Sequence, residues 1–99
     1  MFFITCFSNL GVDKSGYPDL GAYRTMGYYG SYEMAAEDLN SNNCNMHEYV
    51  YRYAVIEEIP EGIYPTCNDR IFFEFDNEKN GYFEIDTPSI FENVNTIAF

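Results

Sequence analysis

The segment "HEYVYRYAVIEEI" (residues 47–59) constrains the fold more than any other part of the chain. It is rich in tyrosine and β-branched residues, a composition that favours a β-strand. Its alternate residues fall into two sets, Tyr49, Tyr51, Tyr53 and Val55 on one face, and Val50, Arg52, Ala54 and Ile56 on the other. Because both faces are largely apolar, we expect this strand to lie at the centre of a sheet.

Other strands are predicted from short apolar runs bounded by turn residues. The run "FFITCFS" (2–8) predicts a buried first strand, and residues 26–29 predict a short one. The segments "RIFFEFD" (70–76) and "GYFEID" (81–86) predict a β-hairpin. Between the first two strands, residues 9–24 carry the glycine, proline and aspartate typical of turns.

Two helices are predicted. Ser31 is a plausible N-cap for a helix over residues 32–39, in which apolar residues recur at helical spacing. Thr87 and Pro88 begin a second helix near the C-terminus. The order of elements predicts one α+β domain over residues 1–99, with a mainly antiparallel sheet of four to five strands and two helices packed on one face.

The hairpin raises a question about charge. If Asp76 to Gly81 forms the turn, with Gly81 at positive φ, Glu74 and Glu84 lie directly opposite one another, where like charges are destabilising. Alternation then divides the hairpin into inward-pointing residues, Ile71, Phe73, Phe75, Phe83 and Ile85, and outward-pointing residues, Phe72, Glu74, Asp76, Tyr82, Glu84 and Asp86.

Composition narrows the class of partner. The chain has 16 acidic and 5 basic residues, a net charge of −11, and a pI near 4.1. The electric field of such a negatively charged protein repels nucleic-acid phosphates and attracts basic protein surfaces. The excess is greater in the second half of the chain, with ten acidic and three basic residues in 51–99 against six and two in 1–50. Solubility alone would also explain an acidic excess, so both interpretations stay open.

Motifs for catalysis or metal binding are incomplete. Residues 76–87 match part of a calcium-binding loop, but Thr87 stands where a bidentate Glu is required. Cys44 and His47 have metal-ligand spacing, but no second pair completes a zinc site, and no oriented base supports a cysteine nucleophile. We therefore expect no enzymatic activity, no metal site and no cofactor.

The cellular location is predicted from the cysteines and the N-terminus. Three cysteines at wide spacing, without a secretory signal before them, indicate thiols in a reducing compartment. No run approaches the roughly 18 apolar residues that a membrane span needs. We expect a cytoplasmic protein.

The glycine-rich segment offers an alternative function. Arg24 with Tyr28 and Tyr29 could hold a nucleotide by stacking a base and binding a phosphate. The competing interpretation is that Arg24 pairs with Asp13 or Asp19 and fixes the loop.

Three stretches carry a resemblance: "ITCFSN", "RTMGYYGSYEMAAEDL" and "HEYVYRYAVIEEIPEGIYP". At these the chain resembles a group of small hypothetical proteins encoded by Firmicutes and their phages. The resemblance implies an origin in the bacterial cytoplasm and transfers no catalytic residue. In size and charge the chain also resembles anti-CRISPR and other anti-defence inhibitors, many of which occupy the DNA-binding surface of an effector.

These observations predict a non-enzymatic acidic inhibitor or interaction protein, such as a phage anti-CRISPR protein. Its partner would be a basic protein, a CRISPR or other nucleic-acid-binding effector, with no direct contact to nucleic acid or membrane. The predicted partner-binding carboxylates are Glu57, Glu58, Glu74, Asp76, Glu84 and Asp86, and the predicted aromatic anchors are Tyr28, Tyr29, Tyr49 and Tyr51. The alternative is a small-ligand or nucleotide-binding protein that uses the glycine-rich segment and Arg24.

Overall fold

The computed structural model describes residues 1–42, 51–60 and 69–91. In chain order its elements are β1 (Phe2–Phe7), β2 (Gly11–Val12), β3 (Pro18–Asp19), β4 (Tyr23–Tyr29), α1 (Tyr32–Asn40), β5 (Tyr53–Glu58), β6 (Asp69–Asp76), β7 (Gly81–Ile85) and a 3-10 turn at Ser89–Phe91. Five strands form an antiparallel sheet in the order β4-β1-β5-β6-β7, and β2 pairs with β3 in a separate ribbon. The predicted central strand is confirmed as β5, although residues 47–50 lie outside the described ranges.

Helix α1 begins as the sequence predicts. The Ser31 hydroxyl accepts a hydrogen bond from the backbone N–H of Met34, which satisfies one donor of the first turn. Ala35 and Leu39, four residues apart on one face, are fully buried against the sheet. We call the side of the sheet on which α1 packs the helix side, and the opposite side the far side.

Both sides of the sheet are covered, each by its own apolar cluster. The helix-side cluster comprises Ile4, Cys6, Ala35, Leu39, Ala54, Ile56, Phe73, Phe75 and Tyr82. The far-side cluster comprises Phe7, Val55, Phe72 and Phe91, and the last of these belongs to the 3-10 turn. Consecutive apolar residues in the central strands, such as Val55 and Ile56, allow burial on both sides.

The prediction of two helices on one face is not supported. The described part of the chain contains one α-helix and the short turn at Ser89–Phe91, and these pack on opposite sides of the sheet. Residues 92–99, where the second helix was predicted to continue, lie outside the described ranges. The predicted α+β class with a mainly antiparallel sheet of four to five strands is confirmed, and the sheet has five strands.

The glycine-rich segment is more ordered than its composition predicts. It contains the β2–β3 ribbon, and β4 begins at Tyr23, earlier than the predicted residue 26. The Asp13 carboxylate accepts hydrogen bonds from the backbone N–H groups of Ser15 and Tyr17, and Gly16 adopts a positive φ of 85°. A side chain that binds the adjacent backbone is the usual way for aspartate to build a turn.

Tyr82 provides a test of the helix-side core at high pH. Its ring is fully buried, its hydroxyl donates a hydrogen bond to the carbonyl of Tyr51, and burial raises its pKa far above the usual value. Because the unfolded chain loses this proton first, Tyr82 lowers stability as pH rises above about 10. We expect Tyr82→Phe to lower the free energy of unfolding by about 1 kcal/mol at pH 7. In urea unfolding at higher pH, the stability of this variant should fall less steeply than that of the wild type. Tyr23→Phe, at an exposed tyrosine, should change neither quantity; equal behaviour of the two variants would contradict the prediction.

Candidate partner-binding surfaces

The β6–β7 hairpin does not place Glu74 opposite Glu84. Glu74 pairs with Phe83 and Glu84 pairs with Phe73, so the two carboxylates lie on opposite sides of the sheet. The predicted register was wrong by one residue, which moves every residue of the second strand to the other face. The same shift explains why Tyr82, predicted to point outward, is buried on the helix side; Phe72 is buried on the far side.

The turn itself explains the register. Asp76 pairs directly with Gly81, and one Asp76 carboxylate oxygen accepts the backbone N–H groups of Glu78 and Lys79. Asn80 supplies the positive φ, 53°, that was predicted for Gly81. Asp76 is therefore engaged by the turn and is only half exposed.

Four carboxylates form the acidic surface, which lies on the helix side: Glu33, Glu58, Asp69 and Glu84. Glu58 and Asp69 lie directly opposite one another in neighbouring strands. This is the like-charge pairing that was predicted for Glu74 and Glu84. Burial raises the pKa of the Tyr32 hydroxyl, and the negative charges of Glu84, Glu33 and Asp69 raise it further. Asp86 is exposed just beyond the end of β7.

Glu57 cannot belong to an exposed carboxylate face, because its side chain is fully buried. It lies opposite Arg70 in the next strand, with 3.8 Å between a carboxylate oxygen and a guanidinium nitrogen. Another Arg70 nitrogen donates a hydrogen bond of 2.5 Å to the carbonyl of Phe91. This buried pair connects the 3-10 turn to the sheet, a structural role that the sequence interpretation missed.

A second surface, the hairpin groove, lies over the β6–β7 hairpin and has a volume of about 530 Å³. Its lining residues are Glu74, Phe75, Asp76, Asn77, Glu78, Phe83, Glu84 and Ile85. Two nitrogens of Arg52 each lie 3.1 Å from one carboxylate oxygen of Glu74. The Lys79 ammonium lies 4.9 Å from the centre of the Phe83 ring.

The predicted tyrosine anchors are dispersed. Tyr28 is 65% exposed and its ring lies beside Phe3, whereas the Tyr29 hydroxyl donates a hydrogen bond to the carboxylate of Asp38 on α1. Tyr51 is half-buried, and Tyr49 lies outside the described residues. Of the three described side chains, Tyr28, Tyr29 and Tyr51, only Tyr28 is both strongly exposed and part of a strand.

The structure does not assemble the predicted pocket around Arg24. A bulge in β4 shifts its pairing with β1, so that Thr25 pairs with Thr5 while Gly27 pairs with Ile4. Arg24 consequently lies on the helix side, and Tyr28 lies on the far side. No described geometry thus favours the nucleotide-binding alternative.

Other chemistry has little support in the described residues. Cys6 is a buried thiol, while Cys44, His47 and Cys67 lie outside the described ranges. Within residues 1–42, 51–60 and 69–91, no group of three or more histidine, cysteine or acidic side chains could hold a metal ion. No helix in these ranges has the length and hydropathy to cross a membrane.

No protein-family model matches the chain, and no curated protein or solved structure is significantly similar to it.

Proposed function

We propose that this protein is a non-enzymatic acidic inhibitor that binds the basic, nucleic-acid-binding surface of a bacterial effector, as an anti-CRISPR protein does. The single observation that carries the proposal is the acidic surface. Among the described residues, the charged groups that raise the pKa of the Tyr32 hydroxyl are the carboxylates of Glu84, Glu33 and Asp69. An unbalanced surface of this kind favours a partner of opposite charge.

The positions of the basic residues support the proposal. Arg70 lies beside Glu57 with its side chain 15% exposed, Arg52 binds Glu74, and Lys79 lies over the Phe83 ring of the hairpin. Lys14 and Arg24 lie on the loop between β2 and β3 and on β4. The described ion pairs and ring contacts of Arg70, Arg52 and Lys79 thus involve Glu57, Glu74 and Phe83, none of which belongs to the acidic surface.

A nucleic-acid-binding protein fits this surface because it gathers lysine and arginine to contact phosphates. Such side chains could contact both Glu58 and Asp69, which face each other across β5 and β6. Encounter would be fast at low ionic strength and slower as salt screens the charges.

Asp69→Lys tests the proposal. We expect the variant to bind a captured basic partner about tenfold more weakly at low salt, because a repulsive contact replaces an attractive one. The folded variant should also be about 0.5 kcal/mol more stable, because Glu58 would then lie opposite a positive side chain instead of a carboxylate. The partner is first identified by affinity capture from host lysate with mass spectrometry, and binding is then measured over a salt series.

A control variant makes the same change in net charge in the β2–β3 ribbon instead of on the acidic surface. Val12→Lys with Tyr17→Lys alters two exposed residues of the β2–β3 ribbon, 57% and 70% exposed, and makes the net charge more positive by two units, as Asp69→Lys does. If the control weakens capture as much as Asp69→Lys, net charge alone governs binding and the acidic surface is not the site.

A further inference from the structure

We propose that the hairpin groove binds an arginine or lysine side chain from an extended basic segment of a partner protein. This inference rests on the proposed function, because it assigns a second contact to the same basic partner. The groove and the acidic surface share Glu84, whereas Glu33, Glu58 and Asp69 do not line the groove.

The apolar part of the groove suits the stem of a long basic side chain. Phe83 and Ile85 are half-buried on the far side of the hairpin, and Phe83 lies directly across from Glu74. Arginine and lysine bury their methylene stems on apolar surface while the charged end contacts polar groups. A volume of about 530 Å³ exceeds one side chain, which leaves room for adjoining residues of an extended segment.

The charges of the groove identify the occupant as a cation. Four of the eight lining residues are acidic and none is basic. The side chains of the protein itself already use both elements, because Arg52 binds the Glu74 carboxylate and the Lys79 ammonium lies over the Phe83 ring. A guanidinium or ammonium from a partner would make the same two kinds of contact.

The test uses a synthetic peptide, acetyl-Gly-Arg-Gly-Arg-Gly-amide, with citrulline replacing arginine in the neutral control peptide. Phe83→Leu keeps the net charge and the apolar character of the groove but removes the ring. We expect it to weaken binding of the arginine peptide by about twofold to fivefold, the usual contribution of an exposed cation–π contact. Chemical shifts should change at Phe83 and Ile85 on titration of the wild-type protein.

A second variant removes the internal cation. Lys79→Ala should strengthen binding of the arginine peptide, because the Phe83 ring is vacated. Lys14→Ala makes the same change of net charge at an exposed turn and measures the general electrostatic effect. The groove is not the site if both lysine variants bind alike, or if Phe83→Leu binds like wild type.

The two proposals fail separately. If Phe83→Leu leaves peptide binding unchanged while Asp69→Lys still weakens partner capture, the groove is wrong and the acidic surface stands. If Asp69→Lys has no effect on capture but Phe83 governs peptide binding, the groove stands and the acidic surface is wrong.

Discussion

Replacing Gly81 with alanine will destabilise the protein by about 3 kcal/mol, because the site is filled by backbone. A Cβ atom there would lie 1.9 Å from the carbonyl oxygen of Asn40 and 2.8 Å from its carbonyl carbon. Backbone atoms cannot rotate aside as a side chain can, so the end of α1 or the start of β7 must move. Urea unfolding should show a lower midpoint with an unchanged slope.

The matched control for this substitution is Gly27→Ala in β4. Gly27 is also a strand glycine, but an added Cβ would meet no heavy atom within 4 Å, and its φ is not positive. Alanine there should leave stability unchanged or raise it by up to about 1 kcal/mol, because it restricts the unfolded chain. Similar losses for the two variants would show that close packing at Gly81 is not the cause.

The second large effect concerns the buried ion pair. We expect Arg70→Met to cost about 3–5 kcal/mol in urea unfolding, because it leaves the Glu57 carboxylate buried without its cationic neighbour. The substitution also removes the hydrogen bond to the carbonyl of Phe91, which holds the 3-10 turn against β6. Loss of near-ultraviolet circular dichroism from the far-side aromatic cluster should accompany the loss of stability.

Removing both charges should reverse most of this loss. In Glu57→Leu with Arg70→Met, no charge is buried, and apolar replacement of a buried pair is often neutral or stabilising. Arg52→Met provides the exposed comparison: the side chains of Arg52 and Glu74 are 58% and 35% exposed, so water screens their interaction and the loss should be much smaller. A double variant as unstable as Arg70→Met alone would exclude an uncompensated charge as the cause.

Local patterns predicted the elements that depend on local chemistry. The strand β1, the central position of β5 and the N-cap of α1 at Ser31 all follow from neighbouring residues. The hairpin was also predicted, but its register was not. Register depended on whether Asn80 or Gly81 took the positive φ, and on how the Asp76 carboxylate engaged the turn, which composition alone does not determine.

The candidate site was harder to predict because it depends on which residues of one strand lie opposite which residues of the neighbouring strand. Nothing adjacent to Glu57 in the sequence indicates that it is buried; its partner Arg70 belongs to the next strand of the sheet. The pairing of Glu58 with Asp69 has the same origin. The sequence did carry one usable signal, the doubled apolar residues Phe72 and Phe73, which indicate a strand buried on both sides.

The positions of the acidic surface and the hairpin groove also limit the shape of any partner. Glu33, Glu58 and Asp69 lie on the helix side and Glu74 lies on the far side, while Glu84, on the edge strand β7 of the described sheet, belongs to both the acidic surface and the groove. A flat protein surface that covers one side of the sheet could not also reach the other side. A partner that contacts both sides must have a cleft that admits this edge.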